Sequence, residues 1–346
     1  MTASAAERDG PLGLDEARRL LAPSAAPSSV LLAVSGGPDS IALMGLMAAL
    51  AADVPGGPAL AVATVDHGLR PTARAEAEAV LAAAARLGLP GHLLAWDGPK
   101  PATRLQERAR HHRYALLGAC ARDIGATHLV TAHTRDDQAE TVLFRLMRGS
   151  GPAGLAGMAP RTVRDGIVHL RPLLDVPKAR LVATCRVRGW AFVEDPANAD
   201  PRFARARLRA LMPGLAAEGL DAARFAVLAR RMAEAEAALA AQAERSLSEA
   251  ARGPGRFDGG RLLAEPPAVR QRALDLVLTR LGAAPGRPRL ERVERLAEAL
   301  SCAARAGTPL RRTLHGAVVA LDGRGLLTLA PAPPRRPGGT APERHP

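Results

Sequence analysis

Aromatic side chains are nearly missing from this chain: Phe, Trp and Tyr make up 2% of its 346 residues, although apolar residues reach 47%. Its core must therefore be built from Ala, Leu and Val, and the heavy use of Ala, Gly, Pro and Arg reads as compositional bias more than function. Cysteine is scarce too. Cys120, Cys185 and Cys302 lie far apart with no Cys-x-x-Cys pair, which supports neither a zinc site nor a disulfide framework. No apolar run reaches the roughly 18 residues of a membrane helix. Glu7 and Asp9 precede any apolar stretch, unlike the start of a signal peptide. The expectation is a reduced, soluble, cytoplasmic protein without a membrane partner. Acidic residues are outnumbered, 34 against 47 Lys and Arg, leaving a net charge of +13. That balance favours a polyanionic partner such as nucleic acid, although an Arg-rich composition makes any surface basic.

The chain is organised around Val30 to Ser40, read Val-Leu-Leu-Ala-Val-Ser-Gly-Gly-Pro-Asp-Ser. An apolar run stops at two glycines and another, Ile41 to Leu50, starts after Ser40, so the stretch reads as strand, tight loop and helix. Gly36 and Gly37 let backbone N–H groups approach an oxyanion, and Pro38 suits a first helical turn whose positive end favours an anion. Ser35 and Ser40 add hydroxyls. Asp39 would repel a phosphate unless a Mg²⁺ ion sat between them. A plain Gly-Gly-Pro turn is the structural alternative. The string lacks the Lys of the common P-loop and the third glycine of a dinucleotide fingerprint. It resembles instead the PP-loop of the ATP pyrophosphatases, which adenylate a carbonyl oxygen and let a nucleophile displace AMP.

Strands and helices then alternate. Leu60 to Val65 leads into Asp66-His67-Gly68, His92 to Trp96 is a third strand, and His128 to Thr131 a fourth that runs into His133. Helices are expected over Pro71 to Leu87, residues 103–122, Asp136 to Met147 and Pro177 to Gly189. Such short links predict a doubly wound parallel α/β sheet, with ligands beyond the carboxyl ends of its strands, where Ser35, Asp66 and His133 all fall. Asp66 also suits a simple capped turn, and Asp136 a helix start. Asp137 and Glu140 lie three apart on one helical face, and two carboxylates beside a phosphate site call for a cation, either Mg²⁺ or a substrate ammonium. Gly151 to Pro160 reads as a mobile loop. Arg202, Arg205, Arg207 and Arg209 crowd together, as a solvated face or as phosphate contacts. The expected organisation is an N-terminal helix and linker over 1–27, a catalytic domain over 28–215, a linking helix over 216–252, a small α+β domain over 253–330 and a disordered tail over 331–346. The small domain is expected to hold helices at Pro267 to Leu281 and Leu290 to Leu300, and a strand pair turning at His315-Gly316.

Taken in order, Ser35–Ser40, Val65-Asp66-His67-Gly68-Leu69-Arg70, Ala109-Arg110 with Arg113-Tyr114, Asp136 to Leu143 with Arg148-Gly149-Ser150-Gly151, Arg171-Pro172-Leu173-Leu174, and Glu194-Asp195-Pro196 with Asn198 resemble the tRNA(Ile)-lysidine synthase family over roughly residues 28–215. The resemblance implies a ligase that uses ATP and Mg²⁺ to adenylate the carbonyl oxygen on carbon 2 of the wobble cytidine in the CAU anticodon of tRNA(Ile). The amine of free L-lysine then displaces AMP. Pyrophosphate belongs on Ser35, Gly36, Gly37, Pro38, Asp39 and Ser40, with Asp66 also on the nucleotide and the metal at Asp39. Lysine belongs near Asp137, Glu140 and His133. Arg113 is similar to a residue the family uses close to that site, and Asp136 or Asp137 takes a proton from the amine. Arg148, Arg202, Arg205, Arg207 and Arg209 are assigned to tRNA, and so is the small domain over 253–330, outside the anticodon. Monomer and homodimer both stay open.

Two positions depart from the family pattern. Ala206 stands where Phe-x-Arg-Asn-Arg usually places Asn, and Thr134 follows His133 where a second histidine is common. Three rival readings fit less well: a PP-loop tRNA thiolase, which needs Cys-x-x-Cys chemistry absent here; a non-catalytic RNA-binding module, at odds with the intact Asp39 and carboxylate helix; and a small-molecule amidotransferase or ligase, which would leave the +13 charge idle.

Overall fold

The apolar run before the two glycines folds as a strand buried on both faces, as a central parallel strand requires. In the computed structural model, which describes residues 10–26, 28–53, 57–68, 71–96, 98, 105–194, 202, 204–284 and 286–333, this strand is β1 (Ser29–Ala33). It is followed by α2 (Pro38–Ala52), whose residues Ile41 to Met47 are buried throughout. Around them run β2 (Ala59–Asp66), α3 (Ala73–Arg86), β3 (Gly91–Ala95), α4 (Leu105–Asp123), β4 (His128–Thr131), α5 (Arg135–Leu146), α6 (Pro152–Leu155), β5 (Arg161–Arg164), β6 (Ile167–Leu170) and α7 (Lys178–Val187). The sheet order is β3-β2-β1-β4-β6-β5. All pairings are parallel except β5 with β6, which forms an antiparallel edge that the doubly wound reading did not include. The order reverses between β1 and β4. That is the switch point at which α/β sheets open a crevice for ligands.

Helix α1 (Leu14–Ala25) is tied to α7. Arg180 donates to both Glu16 oxygens at 2.7 Å and to the Gly10 carbonyl at 2.8 Å, and Leu12 N–H donates to Thr184 Oγ1 at 2.9 Å. Beyond α7, Trp190 lies on α2 where Gly45 leaves room; a β-carbon there would come within 2.5 Å of the indole. This brings the chain back over the glycine loop, and Val193 N–H donates to the Gly36 carbonyl at 2.9 Å.

The segment Gly151 to Pro160, expected to be mobile, is instead braced. It contains α6, Gln138 exchanges hydrogen bonds with both the N–H and the carbonyl of Met158, and Arg145 donates to the carbonyls of Gly154 and Gly157 at 2.8 and 2.7 Å. Helix α8 (Ala204–Ala217) packs Leu208 against Val142 and Leu143 of α5, together with Phe225 of the long helix α9 (Ala222–Ala250).

The chain divides into two compact units, Met1–Gly149 with Gly154–Arg230, and Ser150–Ala153 with Arg231–Pro346, so the division falls inside α9. The second unit holds β7 (Ala251–Gly253), β8 (Arg256–Asp258), α10 (Gly259–Ala264), α11 (Pro267–Leu281), α12 (Leu290–Ala306), β9 (Leu310–Leu314), β10 (Ala317–Leu321) and β11 (Leu326–Pro331). Its sheet is antiparallel in the order β7-β8-β11-β10-β9. His315 and Gly316 turn the β9–β10 hairpin with φ of 52° and 73°, the paired left-handed conformation of a type I′ turn. Gly253 to Gly260, read from sequence as a break, is the β7–β8 hairpin running into α10.

Candidate active site

The glycine loop lies between β1 and the start of α2. Gly36 sits at φ +87°, open only to glycine at low cost, and Gly37, at the N-cap of α2, offers no side chain to cap the first-turn N–H groups. Ser40 is buried, and its hydroxyl turns inward, donating to the Gly37 carbonyl at 3.0 Å and accepting from Ser35 N–H at 3.1 Å. It braces the loop. Ser35 Oγ lies 3.3 Å from Ser40 Oγ.

Asp39 follows at the start of α2. Its Oδ2 accepts from Lys178 Nζ at 2.8 Å, while Oδ1 is buried with no partner. Burial raises its proton affinity; Lys178 opposes the shift, and the charges of Asp137 and Asp136 add to it. The three carboxylates therefore share one electrostatic neighbourhood. Thr134 and Asp137 form a reciprocal capping box at the start of α5, with Asp137 Oδ2 accepting from Thr134 N–H at 2.9 Å and from its hydroxyl at 3.0 Å. Asp136 Oδ2 accepts from Lys178 N–H at 2.8 Å. One turn on, Glu140 is buried, with Oε1 accepting from Arg209 Nε at 2.7 Å and Oε2 without a partner. Burial pushes its carboxyl above the usual range, against the pull of Arg209.

Arginines gather around His133, and one of them, Arg205, also acts on Glu140. The proton order there follows from counting donors. Arg171 Nη2 can only donate, so His169 Nδ1, 2.9 Å away, accepts. A neutral His169 then carries its proton on Nε2 and donates to Thr131 Oγ1 at 2.9 Å, and Thr131 donates to His133 Nδ1 at 2.8 Å. His133 thus holds its proton on Nε2. Both imidazoles are neutral at physiological pH, their pKa values lowered to about 3 by burial, reinforced by the charges of Arg110, Arg113 and Arg171 and, at His133, of Arg205. Burial likewise lowers the Arg113 pKa, with Arg110 adding and Tyr114 opposing. A neutral donor ringed by guanidiniums suits an oxyanion.

Of the residues singled out from sequence, Asp39, Asp136, Asp137 and Glu140 come together as one acidic group, and Arg113 and Arg205 gather around His133. Asp66 turns its Oδ1 onto Gly68 N–H at 2.8 Å, the capped turn that was its simpler reading. Arg209 donates from Nε to Glu140 Oε1 at 2.7 Å, which makes it a counter-charge to that buried carboxylate. Arg207, Arg202 and Arg148 are exposed; Arg207 donates to the Arg202 carbonyl at 3.1 Å, and Arg148 stacks on Phe144 at 4.0 Å. Leu69, Arg70, Asp195, Pro196, Asn198 and Phe203 lie outside the described residues. Sequence reasoning missed Lys178, His169 and the role of Thr131. Lys178 carried one signal, since it and Lys100 are the only lysines in an Arg-dominated chain.

Among the described residues no three of His, Cys, Asp and Glu gather as a metal site. Cys120 and Cys185 are buried and Cys302 is exposed; all three are unpaired thiols. No helix of the described residues is long and apolar enough to cross a membrane.

A family model described as a PP-loop domain matches residues 14–215. The tRNA(Ile)-lysidine synthase of Methylobacterium sp. (strain 4-46) is 57% identical over 94% of this chain and 96% of its own length. Those of Methylobacterium nodulans and Rhodopseudomonas palustris are 56% and 54% identical, covering 95% and 93% of this chain and 98% and 95% of theirs. Among solved structures, a U34-tRNA thiolase of Methanococcus maripaludis, determined with its 4Fe–4S cluster, aligns with a TM-score of 0.54 at 15% identity. It covers 64% of this chain and 80% of that one, a likeness of fold alone.

Proposed function

Because this chain belongs to the tRNA(Ile)-lysidine synthase family of PP-loop proteins, we propose that it ligates L-lysine to carbon 2 of the wobble cytidine in the CAU anticodon of tRNA(Ile). ATP is converted to AMP and pyrophosphate in the process. The observation that carries the reading is the shared neighbourhood of Asp39, Asp136 and Asp137, which sets an acidic cluster beside an uncapped helix start. Such an arrangement is unfavourable for phosphate unless cations accompany the substrates.

Mg²⁺ fits at Asp39, whose buried Oδ1 has no partner. With no preformed ligand cluster among the described residues, phosphate oxygens and water would complete its shell, as this ion prefers. Bound there, it would offset phosphate charge as pyrophosphate departs. Glu140 and Asp137 receive the ammonium of lysine, and the proton lost by its reacting amine passes to a carboxylate of the same cluster. The neutral His133 Nε2–H and the surrounding guanidiniums stabilise charge on the adenylated cytidine and its leaving phosphate. Adenylation makes the leaving group, so the protein's task is chiefly placement and charge. Arg148, Arg202, Arg205 and Arg207 supply phosphate contacts to tRNA.

A thiolase reading would need paired cysteines, and the two cysteines in the PP-loop match are buried thiols; burial lifts Cys185 to about 11, away from reactivity. The test is release of pyrophosphate and AMP from ATP by the purified chain. Pyrophosphate release that depends on tRNA(Ile), followed by AMP release that depends on L-lysine, is expected, and AMP release that ignores lysine would overturn the proposal.

A further inference from the structure

Lys178 joins the two acidic loops. Its backbone N–H donates to Asp136 Oδ2 and its ammonium to Asp39 Oδ2, both at 2.8 Å. The backbone end is anchored: it opens α7, which Arg180 and Thr184 fasten to the segment Gly10 to Glu16. The head, though paired with Asp39, is the less enclosed end: the lysine side chain is 44% exposed while Asp39 is 18% exposed. A four-carbon stem fixed at one end and half in solvent can move its ammonium by rotamer changes alone. The chain takes its cations almost entirely from arginine, with Lys100 and Lys178 the exceptions among 47 Lys and Arg. Composition therefore does not account for a compact ammonium at this position.

Asp39 Oδ2 holds that ammonium where a divalent cation would be drawn, and two cations cannot share one carboxylate oxygen without strong repulsion. We infer that Lys178 is the resident counter-cation of Asp39, and that it yields the carboxylate to Mg²⁺ and passes its ammonium to the phosphate oxygens of the pyrophosphate leaving group. This rests on the phosphate-loop reading of the site. It assigns Lys178 two opposite effects: it weakens binding of a bare divalent cation and strengthens binding of the metal–pyrophosphate pair. A static ion pair holding α7 to α2 would do neither selectively.

The test uses the full chain with Lys178→Met and Lys178→Arg. Mn²⁺ alone is titrated by electron paramagnetic resonance, and inorganic pyrophosphate with Mg²⁺ by calorimetry. In the Met variant Mn²⁺ binding should tighten severalfold, whereas pyrophosphate binding should weaken about ten- to a hundredfold, the range of one charge-assisted hydrogen bond. The Arg variant keeps the charge but not the compact ammonium, so both of its affinities should fall between those of the parent and the Met variant. Two affinities that move in the same direction, or that do not move, overturn the role of Lys178. If the parent itself fails to bind pyrophosphate with Mg²⁺, the phosphate-loop reading falls along with it.

Discussion

Replacing Arg209 with Met should destabilise the chain in a way that depends on pH. Glu140 is 4% exposed, and Arg209 holds one of its oxygens while the other has no partner. Removing one member of a buried pair costs about 3–5 kcal/mol, but Arg209 is 43% exposed, and solvent screening reduces that to about 1–3 kcal/mol. Protonation sets a ceiling. A carboxyl of ordinary pKa can be neutralised for about 1 kcal/mol at pH 5.5 and about 5 kcal/mol at pH 8. The sign follows: losing Arg209 raises the folded-state pKa of Glu140 further above its unfolded value, so the folded form binds the proton more tightly. The deficit should be small below the unfolded pKa near 4.5 and grow as pH rises toward the raised folded value. Urea unfolding at pH 5.5 and pH 8 measures it. Adding Glu140→Gln should recover most of the loss at pH 8, because no charge is then left stranded. Saturating L-lysine should stabilise the Met variant more than norleucine does, about 2.7 kcal/mol at a hundred times Kd. A deficit equal at both pH values, or a double mutant no better than the single, would refute the reasoning.

Two further outcomes follow from the site. Asp39→Asn keeps the shape and removes the charge that faces the phosphate loop, so pyrophosphate release with saturating ATP and Mg²⁺ should fall below detection while the melting temperature holds or rises; parental turnover would detach Asp39 from the chemistry. Arg148 and Arg207 are exposed and lie outside the carboxylate cluster. Replacing both with Ala should weaken tRNA binding and flatten its log–log salt slope by about 0.7–0.9 per lost phosphate contact, with ATP affinity unchanged. An unchanged slope would make them ordinary surface charges.

What was legible in the sequence was whatever has a local cause. The apolar run, two glycines and Pro38 specify β1, the loop and α2 within a dozen residues, and Thr134 to Asp137 specifies a capped helix start. His315-Gly316 likewise announced its hairpin, because few residue pairs adopt two successive left-handed conformations. Partners distant in sequence were not legible. Gln138 and Arg145 brace a Gly/Pro-rich segment that looks free on its own. Lys178 lies 139 residues from Asp39, and Arg209 lies 69 from Glu140, so neither pairing leaves a local pattern. Strand β5 escaped for another reason: all four residues are exposed, so no inward face marks a strand. The order Arg171, His169, Thr131, His133 depends on the adjacency of β4 and β6, which only the sheet topology supplies.

The most direct measurement is isotopic. The chain is incubated with ATP, Mg²⁺, tRNA(Ile) bearing a CAU anticodon and uniformly ¹³C-labelled L-lysine, and the tRNA is then digested to nucleosides for mass spectrometry. The expected result is one nucleoside that carries the whole labelled lysine in place of the wobble cytidine, formed only when ATP is present. Unaltered cytidine at that position, despite tRNA binding and ATP turnover by the same preparation, would contradict the assignment.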